Sequence, residues 1–93
     1  MADEVGFDWD QANIGHIARH GVTPLEIEQM FANGVGHAGF EHTEGEDRYT
    51  VIGHTNSLRV LLAVWTYRNG LVRTITAREA GKRMREDYFR SRG

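Results

Sequence analysis

The spacing of apolar residues divides the chain into helical and extended stretches. Phe7-Asp8-Trp9 alternates apolar and acidic residues, which predicts a short strand. Asp10 is placed to cap a helix over Gln11 to His20, where Ile14, Ile17, Ala18 and Gly21 recur at helical spacing as one apolar stripe. Asn13, His16 and His20 fall on the polar side, and Gly21 supplies a helix stop. Thr23-Pro24-Leu25-Glu26 opens a second helix. A Thr N-cap, proline at the first helical position and glutamate at the third form a capping box. Ile27, Met30 and Phe31 share its apolar face, and Asn33-Gly34 ends it.

The period then changes. Gly36 to Phe40 reads as a weak edge strand, followed by a solvated loop that carries Glu41, Glu44, Glu46 and Asp47. Arg48 to Gly53 alternates. Arg59 to Tyr67 is nearly a continuous apolar run, as in a central strand covered on both faces. Asn69-Gly70 is the favoured two-residue hairpin turn, and Leu71 to Ala77 returns as the partner strand. After Arg78 the pattern is helical again, with Ala77, Ala80, Gly81, Met84 and Tyr88 on one face. Helices and strands are kept apart, so the expected fold class is α+β. A small antiparallel sheet of three to four strands, plus the short N-terminal strand, is packed by two N-terminal helices and one C-terminal helix. One domain over residues 1–93, ordered over about 5–90, is expected from the length and the absence of any linker or repeat.

Composition narrows the function classes. Hydrophobic residues at 40% with charged residues at 26% exclude a disordered chain, and no run of apolar residues is long enough to span a membrane. The absence of cysteine excludes a disulfide, a thiolate metal site and a cysteine nucleophile. Met1-Ala2-Asp3-Glu4 has neither a basic nor an apolar stretch, so a cytoplasmic protein is expected. The net charge of -2 conceals a division: residues 1–67 carry -7 and residues 68–93 carry +5. Seven of the eight basic residues in the second part are arginines, the side chain suited to bidentate phosphate contacts. Two readings stay open on charge alone, an anionic partner such as nucleic acid or a solvated, ion-paired final helix.

Five short motifs in order give a resemblance. They are Phe7-Asp8-Trp9-Asp10, Arg19-His20-Gly21-Val22, and Gly45-Glu46-Asp47-Arg48-Tyr49 leading into Val51-Ile52-Gly53. The hairpin from Val60 to Ile75 and the segment Thr76-Ala77-Arg78-Glu79-Ala80 complete them. Over roughly residues 7–89 the chain resembles the BrnT-type toxins of bacterial toxin–antitoxin pairs. The resemblance implies a RelE-like fold, a ribonuclease activity that slows translation, and a small cognate antitoxin. It implies DNA contact only through that antitoxin, and leaves a homodimer and a heterotetramer with the antitoxin both open. Two departures stand out: Arg19 occupies a turn position that is commonly lysine, and Glu86-Asp87 interrupts the basic final helix. They support an alternative reading, a catalytically weak or inactive module that binds RNA or antitoxin.

Metal-free RNA cleavage needs a proton acceptor for the ribose 2′-OH, a proton donor for the leaving oxygen and cations for the phosphate. His20 is the first candidate for proton transfer, since imidazole titrates near neutrality; the plainer reading is a cation at a helix C-terminus. Arg48 and Arg78 are candidates to clamp the phosphate, with cross-strand pairing to Glu46, Asp47 or Glu79 as the alternative. Parity places Arg78 with Thr76, Thr74 and Val72, and Arg48 with Thr50 and Ile52, a threonine- and arginine-bearing face suited to binding. Arg19, Arg73, Lys82, Arg83 and Arg85 are candidates for contact with RNA or antitoxin, as are the rings of Tyr67 and Tyr88. Core packing is the competing reading for Trp65 and Tyr88. His16 and His20 share a helix face at chelating spacing, and His37, His42, His54, Glu41 and Glu44 could add ligands. Without a His-Glu-x-x-His pattern no metal or other cofactor is expected. A DNA-reading helix-turn-helix is set aside because residues 24–33 hold Glu26 and Glu28 and no basic side chain.

Overall fold

The computed structural model describes residues 5–92. The elements are α1 (Gln11–Ala18), α2 (Pro24–Ala32), β1 (Gly36–Thr43), β2 (Glu46–His54), β3 (Val60–Arg68), β4 (Leu71–Glu79) and α3 (Lys82–Arg92). Each strand pairs antiparallel with its neighbour in sequence, in the order β1-β2-β3-β4. This is the α+β architecture that the segregated periodicities predict. The N-terminal strand is reduced to one parallel bridge, Phe7 to Val72, with hydrogen bonds of 2.9 Å from Val72 N–H to the Gly6 carbonyl and from Asp8 N–H to the Val72 carbonyl. It covers the outer edge of β4.

Both N-terminal helices start on capping boxes. Asp10 accepts the backbone N–H groups of Ala12 and Asn13, while the Asn13 side chain accepts the N–H of Asp10 at 2.9 Å. The Asn13 amide also donates to the Asp8 carbonyl at 2.8 Å. With its polar atoms satisfied locally, Asn13 is buried beside Ile17, whereas Ile14 is 39% exposed. The polar and apolar assignments at these two positions are therefore the reverse of those expected from residue type. In α2, Thr23 and Glu26 exchange the predicted side chain-to-backbone bonds at 3.1 and 3.2 Å.

Two strand features differ from expectation. β1 runs on to Thr43, and the stretch read as a loop closes in a two-residue turn at Glu44 (φ 54) and Gly45 (φ 75). Asn69 (φ 56) and Gly70 (φ 79) form the equivalent, predicted turn. In β4 the pairing passes from Val64–Thr76 to Trp65–Thr74, leaving Ile75 as a bulge. The extra residue reverses parity. Thr74 and Val72 are buried on the helix side, while Thr76 and Arg78 lie on the opposite face.

The core joins Ile17, Val22, Ile27 and Met30 to Val51, Leu61, Ala63 and Ala77. Gly53 belongs to this interface by necessity. A Cβ there would lie 3.1 Å from Val35 Cγ1 and 3.2 Å from Met30 Cε. Gly53→Ala is expected to destabilise the fold by about 1–2 kcal/mol in a urea titration, since a close-packed core resists added volume.

The other face of the sheet is covered only at one end. There α3 packs Tyr88, with Ala80 just before the helix, against Val60, and Ile52 and Phe89 are half-buried around them. Tyr88 Oη lies 2.7 Å from His54 Nδ1. Met84, expected on the buried side with Tyr88, is 40% exposed, because the contacts come from Ala80 and from the second half of the helix. Tyr88→Phe removes one hydrogen bond worth about 1 kcal/mol. Amide exchange in α3 should then quicken about fivefold while core amides keep their rates.

Candidate functional site

Beyond α3 the uncovered sheet face forms a groove of about 320 Å³, lined by His20, Thr50, Leu62, Val64, Thr76, Ala77 and Arg78. Leu62 and Val64 make an apolar floor; Thr50 and Thr76 add hydroxyls. His20 and Arg78 complete the lining. The volume matches a small-ligand site.

The turn between α1 and α2 carries His20. Its backbone N–H bonds the Ile17 carbonyl at 3.0 Å, and Gly21 follows in the left-handed conformation (φ 71). Arg59, from the β2–β3 connection, holds this turn in place. Its Nη1 donates to the Gly21 carbonyl at 2.8 Å and to both Glu26 oxygens at 3.0 and 2.9 Å. Its Nε lies 3.5 Å from Glu79 Oε1, one residue past Arg78. One guanidinium thus joins the His20 turn, α2 and the end of β4. Burial pushes the Glu26 carboxyl up, but the Arg59 hydrogen bonds, the Thr23 N–H and the charge attraction outweigh it and hold the group below its ordinary value. The Glu26 hydrogen bonds raise Arg59 in turn, against the opposing effect of burial.

Four arginines lie on the sheet, and three are engaged. Arg48 Nε bonds Glu46 at 2.9 Å, Arg68 lies 3.8 Å from Asp8, and Arg73 lies 3.6 and 3.0 Å from Asp8 and Asp10. Arg78 makes no ion pair among the described residues.

The groove therefore brings His20 and Arg78 together, and it does not include Arg48. Arg78 lies across from Leu62 and then Ile52, while Arg48 is four residues farther along β2, about 13 Å at the strand rise. It shares the face but not the cavity. Arg19 is the exposed C-cap of α1. Arg73 holds the N-terminal segment through Asp8 and Asp10; its hydrogen bond is the first cause that lowers the Asp10 carboxyl, followed by the Asn13 N–H. Tyr67 is 62% exposed, beside Glu46 and Asp47 and away from the groove. Lys82 and Arg83 are exposed on α3, Arg85 stacks over the Phe89 ring at 5.2 Å, and Tyr88 is buried against the sheet. Trp65 packs against Phe31 and Tyr49 in the core rim. The His16 and His20 rings are 6.0 Å apart, and no three metal-ligating side chains gather among the described residues.

Arg59, which positions the His20 turn, belongs to no motif in the sequence. Its only signal is scarcity: it is one of three basic side chains in the acidic first 67 residues, where a cation will be drawn into pairs. The role of His54 depends on α3 folding back and has no local signal.

Fold and groove together define a small α+β protein with an open sheet face and a groove lined by one arginine and one histidine. Residues 9–83 match the family described as the ribonuclease toxin BrnT of type II toxin–antitoxin systems, and the chain belongs to that family. Membership makes it a ribonuclease toxin with RNA as substrate and an antitoxin as partner. No curated protein matches the chain. No helix among the described residues is long and apolar enough to cross a membrane.

Proposed function

We propose that the chain is a metal-independent, RelE-like endoribonuclease that cleaves RNA in the His20–Arg78 groove, slows translation, and is neutralised by its antitoxin. The observation that carries this reading is that Arg78, which makes no ion pair among the described residues, lines the same cavity as His20. The ribose 2′ oxygen attacks the adjacent phosphorus, the bond to the 5′ oxygen breaks, and a 2′,3′-cyclic phosphate and a 5′ hydroxyl result. His20 carries one of the two proton transfers, from the 2′-OH or to the 5′ oxygen. Arg78 neutralises the non-bridging oxygens as charge accumulates on them. Thr50 and Thr76 donate hydrogen bonds to the same phosphate, and Leu62 and Val64 exclude water beneath it. Arg48, outside the cavity on the same face, holds a neighbouring phosphate. Arg19, Lys82, Arg83 and Arg85 hold the backbone without reading sequence.

The test is cleavage of a fluorescent single-stranded RNA by the full chain in excess EDTA. Undiminished cleavage with a cyclic phosphate product is expected. Activity that disappears in EDTA and returns with a divalent metal sinks metal independence. No cleavage under either condition favours the alternative, a binding module for RNA or antitoxin, for which the arginine at position 19 and the Glu86-Asp87 interruption of the final helix are the supporting observations.

A further inference from the structure

The two edges of the sheet are treated differently. The outer edge of β4 is occupied by the segment around Phe7, whereas β1 has no strand beside its outer edge among the described residues. Free edges are usually blunted by proline, lysine or bulges. Gly36–Thr43 contains neither proline nor lysine, and its single irregularity, between His37 and Gly39, leaves Gly39 to Thr43 in regular pairing with β2. Beside this edge Phe40 is 54% exposed and rests on Tyr49 at 5.4 Å. A second cavity of about 300 Å³ adjoins the β1–β2 turn, lined by Glu46, Asp47, Tyr49 and Tyr67 among others.

The charge around this edge selects the occupant. Residues 40–48 carry four carboxylates, Glu41, Glu44, Glu46 and Asp47, against Arg48, which pairs with Glu44 and Glu46, and His42, which bonds Asp47. The excess charge is negative, and Glu41 makes no ion pair among the described residues. Phosphate is repelled here, so the surface does not extend the RNA groove. Two copies paired edge to edge would bring like charges together. We infer that the free edge of β1, flanked by the exposed Phe40 ring and these carboxylates, docks an extended, arginine- or lysine-bearing segment of a partner protein that joins the sheet as a fifth strand. Backbone hydrogen bonds to Gly39–Thr43 would supply affinity, an apolar side chain would meet Phe40, and cationic side chains on the other face would meet Glu41 and the carboxylates at the β1–β2 turn. The inference does not depend on the groove being a nuclease.

The test uses the full chain and a fluorescein-labelled peptide of four Arg-Val repeats, read by anisotropy and by amide shifts. Four Glu-Val repeats and four Arg-Pro repeats serve as controls, the latter keeping the charge while lacking N–H donors at alternate positions. Binding of the Arg-Val peptide is expected, with shifts concentrated at Gly39–Thr43. Phe40→Ala and Glu41→Arg, both at exposed side chains, should each weaken it at least fivefold with circular dichroism unchanged. Equal binding of the Arg-Pro peptide, shifts confined to another surface, or variants that bind as wild type would overturn the proposal. So would RNA that shifts the same β1 amides, or a concentration-dependent dimer that protects them.

Discussion

Arg78→Ala is expected to lower RNA cleavage by about 10²- to 10³-fold, the usual loss when a group aimed at developing charge is removed. Stability should change by less than about 0.5 kcal/mol, because the side chain is exposed and releases no ion pair among the described residues. Arg78→Lys keeps the charge but replaces a planar fork with a point charge, so partial recovery is expected. His20→Ala should cost a similar factor and, in addition, abolish one limb of the pH–rate profile. A rate that rises with pH in the wild type identifies His20 as the base; one that falls identifies it as the acid. The double variant should be little worse than either single one, since groups acting on one transition state are not additive. Variants that cleave as well as wild type would remove the groove from the reaction.

Arg59→Met is expected to cost about 2–3 kcal/mol, because it leaves the Glu26 carboxylate and the Gly21 carbonyl without charged hydrogen-bond donors while retaining most of the packed volume. In a domain of this size that corresponds to a melting temperature lower by roughly 10–20 °C. The effect is tied to pH. The folded pKa of Glu26 lies below its unfolded value, so its stabilisation is fully present above that unfolded value, about 4.5, and is lost as pH falls through the folded pKa. The gap in stability between wild type and variant should therefore narrow as the pH is lowered below about 4. Asp10, lowered chiefly by Arg73, gives an acid sensitivity of the same sign that Arg59→Met leaves intact. A gap that is independent of pH would show that Arg59 acts through packing alone.

Local chemistry was legible in the sequence wherever it was self-contained. The Thr23–Glu26 capping box and the Asn69-Gly70 turn each specify their geometry within four residues, and both formed as read. The Glu44-Gly45 turn was hidden by the acidic residues around it, which resemble a solvated loop; only pairing with β2 shows that β1 continues to Thr43. Asn13 lies inside against its residue type because the cap uses its polar atoms. The bulge at Ile75 has no sequence mark, yet it decides which threonines face the groove. The separation of Arg48 from Arg78 is likewise a matter of register, set by strands distant in sequence. His20 and Arg78 were each visible as candidates; their shared cavity was not, because 58 positions separate them and Arg59 holds their supports together.

Because each of β1 to β4 pairs with its sequence neighbour, the sheet can grow hairpin by hairpin as the chain leaves the ribosome, and the Phe7 segment alone among the described residues waits for a distant mate. The groove follows a different timetable. His20 is made before the sheet, whereas Arg78 and the Tyr88 contact beside His54 are made only after β3. A nascent chain halted before Arg78 can hold three paired strands and still lack its cation. Synthesis order alone thus keeps the site unassembled until β4 has been made.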